Sequence, residues 1–149
     1  ARKVAEEIDD VSFKKAILTK SNIYAKLIQD LLEEMDIHYV SNITGHGLRK
    51  IMRANRAFTY VIEKLFEPQE IFKSIQKHAN IDDTEMYQTF NMGQDYAIFV
   101  SPEDVKKAQE IISKNGFESL DAGFLEEGER KVIIKPKNII FEGKTLDLR

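Results

Sequence analysis

His38-Tyr39-Val40-Ser41-Asn42-Ile43-Thr44-Gly45-His46-Gly47-Leu48-Arg49-Lys50-Ile51-Met52-Arg53 changes its periodicity halfway along. His38 to Ile43 predicts a strand, Thr44 to Gly47 a glycine turn, and Leu48, Ile51 and Met52 resume the spacing of a helix. A strand that feeds a helix through a tight turn is a unit of chains in which the two element types interleave. The rest of the sequence agrees. Ala57 to Ile62 is aromatic and branched, as a strand is, and Pro68 suits the first turn of a helix carrying Ile71, Phe72 and Ile75. Asp82 with Glu85 three residues on is a capping-box pattern that opens a short helix through Met86 to Phe90. Tyr96 to Val100 is a continuous apolar run that predicts a buried strand, with Ser101 and Pro102 opening a helix on Val105, Ala108, Ile111 and Ile112 that ends before Gly116. Phe117 to Leu125 and Arg130 to Lys135 predict strands around Gly128, with a last one at Asn138 to Phe141. Upstream, Asn22 to Met35 carries Ile23, Tyr24, Leu27, Ile28, Leu31, Leu32 and Met35 on one helical face, and the charged segment 1–20 predicts a short helix or a weakly packed arm. The fold class expected is α+β, a mixed sheet covered by helices.

Composition bounds the possibilities. A chain of 149 residues with 42% hydrophobic residues is one domain's length and too apolar for disorder. No apolar run approaches the roughly 20 residues that cross a bilayer, and residues 1–10 lack the apolar core of a signal peptide, so a cytoplasmic protein without a membrane partner is expected. The absence of Cys excludes disulfides, thiol catalysis and cysteine zinc sites. A net charge of −3 argues against a broad nucleic-acid surface.

One local bias stands out. From Ile37 to Ile62 there is no acidic residue, while Arg49, Lys50, Arg53 and Arg56 contribute +4. Glycines at 45 and 47 let the backbone turn tightly, and a helix starting near His46 would present N–H groups and a positive dipole end to an anion. Arg49 and Arg53, four apart on one helical face away from the apolar stripe, are expected to face solvent or a cleft. The plainer reading is a solvated helix face after an ordinary turn. Phe90-Asn91-Met92-Gly93 reads either as a sharp helix-to-strand connection or as a loop that lets backbone approach a ligand. His38, His46 and His78 lack metal-motif spacing, so no metal site is expected. Glu126, Glu127 and Glu129 around Gly128 read as a solvated turn. The residues alone identify no catalytic group.

From about Ala16 to Gly143 the sequence resembles the C-terminal domain of phosphoribosylformylglycinamidine cyclo-ligase, also called aminoimidazole ribonucleotide synthetase. Four landmarks occur in order. Leu18-Thr19-Lys20-Ser21-Asn22-Ile23-Tyr24 is similar to L-x-P-T-R-I-Y, and Asn42-Ile43-Thr44-Gly45-His46-Gly47-Leu48 to H-I-T-G-G-G-L. Glu85 to Gly93 is similar to E-M-x-R-T-F-N-M-G, and Val100-Ser101-Pro102-Glu103-Asp104 follows. The superfamily also includes thiamine monophosphate kinase and selenophosphate synthetase; the third landmark points to the purine enzyme.

The resemblance implies an enzyme that uses ATP and Mg2+ to close the imidazole ring of formylglycinamidine ribonucleotide, releasing ADP and phosphate. It implies that 21–149 form one wall of a cleft, and that the glycine-rich ATP segment lies in an N-terminal half, the expected partner, which these residues do not contain. A homo-oligomer is compatible with it. The candidate substrate- or phosphate-binding residues are Asn42, Thr44, Gly45, His46, Gly47, Asn91 and Gly93 from the landmarks, with Lys50 and Arg53 from the local basic bias, since the Asn and Arg that follow the family's glycine loop are not matched in register by Arg49, Lys50 and Arg53. The sequence departs from the family pattern where Asn42 replaces a His, where His46 replaces the middle Gly, and where Gln94-Asp95 replaces a second glycine. Alternatives are a related superfamily enzyme acting on another phosphorylated or phosphate-accepting substrate, and a noncatalytic binding domain.

Overall fold

The computed structural model describes Val4 and residues 11–19, 21–54 and 56–146. Lys20 of the first landmark, most of 1–10 and Asn55 lie outside the described residues. In chain order the elements are α1 (Val11–Ile17), α2 (Ala25–Glu34), β1 (Tyr39–Asn42), a 3-10 helix (Gly47–Ala54), β2 (Phe58–Ile62), α3 (Glu70–Ala79), α4 (Asp83–Thr89), β3 (Tyr96–Phe99), α5 (Val105–Lys114), β4 (Gly123–Glu127), β5 (Lys131–Ile134) and β6 (Ile139–Glu142). Short 3-10 turns precede α5 and follow β5 and β6.

The α+β expectation with a mixed sheet holds, and the strands divide into two sheets. Four strands in the order β4-β2-β5-β6 form the mixed sheet, with β2 and β5 parallel and the other neighbours antiparallel. Glu127 stands opposite Phe58 and Lys131 opposite Thr59, so Gly128 to Arg130 carry the chain across the start of β2. β1 and β3 pair with each other as a separate antiparallel ribbon, Asn42 opposite Tyr96. They were expected within the one sheet.

The ribbon explains the apolar run in β3. Ala97 and Phe99 pack on the main core, built from the inner face of the sheet (Tyr60, Ile62, Val132, Ile134, Phe141), the 3-10 helix (Leu48, Ile51, Met52) and α4 (Met86, Tyr87). Ile98 and Val100 pack on a second core, where Leu27 and Leu31 of α2 meet Ala108, Ile111 and Ile112 of α5. Both faces of β3 are therefore used, yet each position stays half-buried because a two-stranded ribbon leaves its edges open. The expectation of a fully buried strand is corrected to that extent.

Other local differences have simple causes. The segment after Gly47 winds as a 3-10 helix, with three residues per turn rather than 3.6. α3 begins at Glu70, two residues beyond Pro68. Asp82 caps α4 as expected, its side chain accepting from Glu85 N–H at 2.8 Å, whereas Ser101 makes no side-chain cap. The strand expected from Phe117 starts only at Gly123, because Phe117 packs into the second core instead. The helix expected from Asn22 begins only at Ala25, so Ile23 lies before it and is 74% exposed, and Leu32 on α2 is 61% exposed. Val4 and Phe13 are buried in the main core.

Candidate functional site

A cleft of about 570 Å³ opens where the ribbon meets the start of α2 and α3. Four separate stretches of chain line it. Thr19, Ser21, Asn22 and Tyr24 come from the approach to α2; Asn42, Ile43 and Thr44 from the end of β1; Asn91, Asp95 and Tyr96 from the turn into β3; and Gln69, Ile71 and Phe72 from α3. Three of the sequence landmarks, or the residues just beyond them, thus converge on one cavity although up to 77 positions separate Thr19 from Tyr96. A more open depression lined by Arg130, Glu142, Gly143 and Lys144 contains none of the residues singled out in the sequence.

The floor of the cleft is a hydrogen-bonded network. Asn91 closes a four-residue turn in which its carbonyl accepts from Gln94 N–H at 2.9 Å and the central Met92 and Gly93 have φ of 51° and 83°. The Asn91 amide also donates to Asp95 Oδ1 at 2.9 Å, and the Tyr24 hydroxyl donates to Asp95 Oδ2. Asn22 donates to the Tyr24 oxygen at 3.0 Å. The Asp95 carbonyl accepts from Ile43 N–H at 2.8 Å, which ties the turn to the end of β1. Tyr24 is further held between the rings of Tyr96 and Phe117, each 4.7 Å away between centroids. Burial, then the hydrogen bond to Asp95, pushes the Tyr24 pKa up to about 12, so its hydroxyl stays protonated and donating.

At the rim, Lys50 Nζ donates to Thr44 Oγ1 at 2.8 Å. Burial and the neighbouring Arg53 charge lower the Lys50 pKa. In a 3-10 helix residues three apart share a face, so Lys50 and Arg53 lie together, while Arg49 and Arg53, four apart, diverge by roughly 120°. Arg49 consequently turns inward. It is 8% exposed and its guanidinium donates to the carbonyls of Thr145 and Gln88, binding the 3-10 helix to the C-terminal turn and to α4. The expectation that Arg49 faces solvent or a cleft is corrected by this winding.

Of the candidate residues named from the sequence, Asn42, Thr44 and Asn91 line the cleft, and Lys50 reaches it through Thr44. Gly45, His46, Gly47, Arg53 and Gly93 are not in its lining. Gly47 serves packing instead. With φ of 53°, a Cβ there would lie 2.0 Å from the Tyr87 carbonyl oxygen, so the glycine lets the 3-10 helix press against α4. Gly45 has no such constraint. His38 lies beside Asp36 and Ser101 and His78 on the Ser74 carbonyl, and among the described residues no three His, Asp or Glu side chains group as metal ligands would. Sequence reasoning passed over Tyr24 and Asp95. Tyr24 ends the first landmark but figured there as a helix-face residue, and Asp95 figured only as a departure from the family's second glycine.

Residues 2–135 match the family model described as AIR synthase related protein, C-terminal domain. The chain is 38% identical over 136 residues to a phosphoribosylformylglycinamidine cyclo-ligase of Caldicellulosiruptor saccharolyticus, covering 89% of this chain and 40% of that protein. It is 34% identical over 137 residues to one of Methanococcus maripaludis, covering 85% and 39%, and 38% identical over 126 residues to one of Methanocaldococcus jannaschii, covering 76% and 36%. It spans about two-fifths of the length of these curated relatives. No helix among the described residues is long and apolar enough to cross a membrane.

Proposed function

The chain belongs to the AIR synthase related family, matching its C-terminal domain, and from that premise we propose that it is the substrate-holding wall of a phosphoribosylformylglycinamidine cyclo-ligase. The observation that carries this reading is the convergence of the first three landmarks on one polar cleft. Its ligand is a phosphorylated small molecule. Thr44 and Lys50 take the phosphate at the rim, with Arg53 on the same helical face adding to the local positive field. Asn42, Asn91 and Asn22 offer amide groups toward the remainder of the substrate.

ATP and magnesium belong, in this reading, to the rest of the protein. The cleft lining contains a single carboxylate, Asp95, which already accepts from Tyr24 and Asn91, and no second acid stands in the lining to share a hard cation. These residues therefore do not fit a magnesium site by themselves. The chain's own contribution is to bind and orient, and the partner implied is an N-terminal ATP-binding half. The departures at Asn42 and Asp95 keep a second reading in view, a superfamily enzyme with a different phosphorylated substrate, since both residues lie in the cleft.

The test is ATP turnover. The complete protein is expected to hydrolyse ATP when formylglycinamidine ribonucleotide is added, and not with thiamine phosphate or selenide. The isolated chain is expected to show no turnover. Lys50→Ala is expected to weaken substrate binding about tenfold or more, with the larger effect at low salt, because a hydrogen bond to a charged group contributes roughly 1.5–3 kcal/mol. Turnover driven by another substrate selects the second reading, and an unchanged affinity for Lys50→Ala removes the rim as the phosphate site.

A further inference from the structure

One face of the mixed sheet packs on the main core, through Tyr60, Ile62, Val132, Ile134, Ile139 and Phe141. Side chains alternate along a strand, so the residues between these point to the opposite face. There the register aligns Phe124 of β4, Val61 of β2, Ile133 of β5 and Ile140 of β6 in one apolar row across all four strands. None of the four belongs to either core. The ends of the row, Phe124 and Ile140, are 46% and 57% exposed. Both flanks of the row are charged. Glu126, Thr59, Lys131 and Glu142 form the next row on one side. On the other, Lys135 pairs with Glu63 at 2.7 Å and its ammonium lies 5.4 Å from the centre of the Phe124 ring. None of these residues lines the cleft.

We propose that this face is an interface between two copies of the chain, stacked sheet on sheet about a twofold axis parallel to the strands. Stacked sheets keep their strands within about 30° of each other, so a row on one lies along a row on the other. A helix running along the strands would cross the charged rows instead, and an anionic surface such as a nucleic acid or an acidic membrane would meet Glu63, Glu126 and Glu142. The twofold exchanges β2 with β5 and β4 with β6, which sets Val61 over the partner's Ile133 and Phe124 over the partner's Ile140. It also sets Glu63 over the partner's Lys135 and Lys135 over the partner's Glu63, a square of alternating charges. The two glutamates that meet at each corner, Glu126 and the partner's Glu142, have a Lys131 one strand away. Four strands about 4.8 Å apart and about 16 Å long give a footprint of roughly 300 Å² per copy. That is well below the roughly 800 Å² per partner of a stable interface, so the dimer is weak, with a dissociation constant on the order of 100 μM.

The experiment is sedimentation equilibrium of the 149-residue chain, from about 10 μM to about 1 mM, a range that brackets that constant. A monomer–dimer equilibrium is expected in the unaltered chain. Ile140→Lys is expected to weaken association about tenfold or more, because it sets a charge against the partner's Phe124, and to leave the urea midpoint close to that of the unaltered chain, because Ile140 is exposed. Phe124→Lys is a second variant with the same expected effect on association. Glu63→Lys is expected to weaken association by a smaller factor, and Glu63→Lys combined with Lys135→Glu to recover most of that loss, since the alternating square is rebuilt. A chain that stays monomeric throughout the range overturns the proposal, and so does a dimer that Ile140→Lys and Phe124→Lys both leave unchanged. Hydroxyl-radical labelling of Phe124 and Ile140 in the complete protein at about 1 μM, where so weak a dimer is dissociated, tests the competing occupant. Labelling of both is expected, and protection there would mean that another part of the protein covers the face in place of a second copy.

Discussion

The two glycine-bearing segments that flank the ribbon, 44–54 after β1 and 90–95 before β3, differ in charge and in use. The first turns its glycine and its arginine inward: Gly47 lies against the Tyr87 backbone and Arg49 bonds the carbonyls of Gln88 and Thr145, leaving Lys50 and Arg53 outward. The second turns its side chains toward a ligand-sized space, with Asn91 and Asp95 joined to each other and to the opposite wall through Tyr24. Basic residues in one segment and a lone acid in the other suggest that the first binds and the second connects. The geometry reverses much of that, because a 3-10 helix places its residues at different angles from an α-helix and because a turn with two positive-φ residues folds its own side chains together.

The comparison is broken most severely at Gly47. Gly47→Ala places a Cβ 2.0 Å from a backbone oxygen in a left-handed conformation, with no flexible side chain to yield. A loss of about 4 kcal/mol or more is expected in urea unfolding. Gly93→Ala shares the positive φ, but its nearest neighbour is 3.5 Å away, so about 1–2 kcal/mol of backbone strain is expected. Similar losses for the two would mean that packing against α4 does not distinguish the segments.

Arg49 and Arg53 give the next contrast. Arg49→Ala leaves two half-buried carbonyls without their charged donor and removes a buried side chain beside α4, and a loss of about 2–3 kcal/mol is expected. Arg53 is exposed, and Arg53→Ala is expected to change stability by less than about 0.5 kcal/mol while weakening phosphate binding. Chemical denaturation of both variants in parallel checks this. Equal effects would return Arg49 to the solvent-facing role that α-helical spacing suggests.

The smallest effect is a titration. The folded chain holds the Tyr24 proton more tightly than an unfolded chain, in which tyrosine titrates near 10. This contribution to stability is therefore complete below pH 10 and is lost as pH rises from about 10 to about 12. Tyrosinate absorbance compared with Tyr24→Phe is expected to show the missing transition at the alkaline end, and Asp95→Asn is expected to bring the Tyr24 transition down. A Tyr24 transition at the ordinary value would show that the hydroxyl does not close the floor of the cleft.

Much of the architecture could be read from local pattern, because helix faces, caps and strand runs are written in residues near one another. The α2 stripe was legible through Leu27 and Leu31, which are buried, and the capping role of Asp82 through its spacing to Glu85. The stripe also overreached, since Ile23 lies before the first residue of α2 and Leu32, though on the helix, is exposed. The apolar run in β3 signalled packing on both faces without signalling that the covering layers would be two different cores. Of the cleft lining, Asn42, Thr44 and Asn91 were accessible through the landmarks, whereas the close packing of Gly47 against α4 was not.

The amino-acid sequence by itself determined the order of helices and strands, the family resemblance and the local excess of positive charge, since each depends on residue type and short-range spacing. Tertiary structure alone decided that β1 and β3 leave the main sheet, that Arg49 turns inward, and that Tyr24 meets Asp95 across 71 positions of chain. Those outcomes depend on which surfaces remain open when two cores close around one ribbon. Short-range spacing carries no record of that competition.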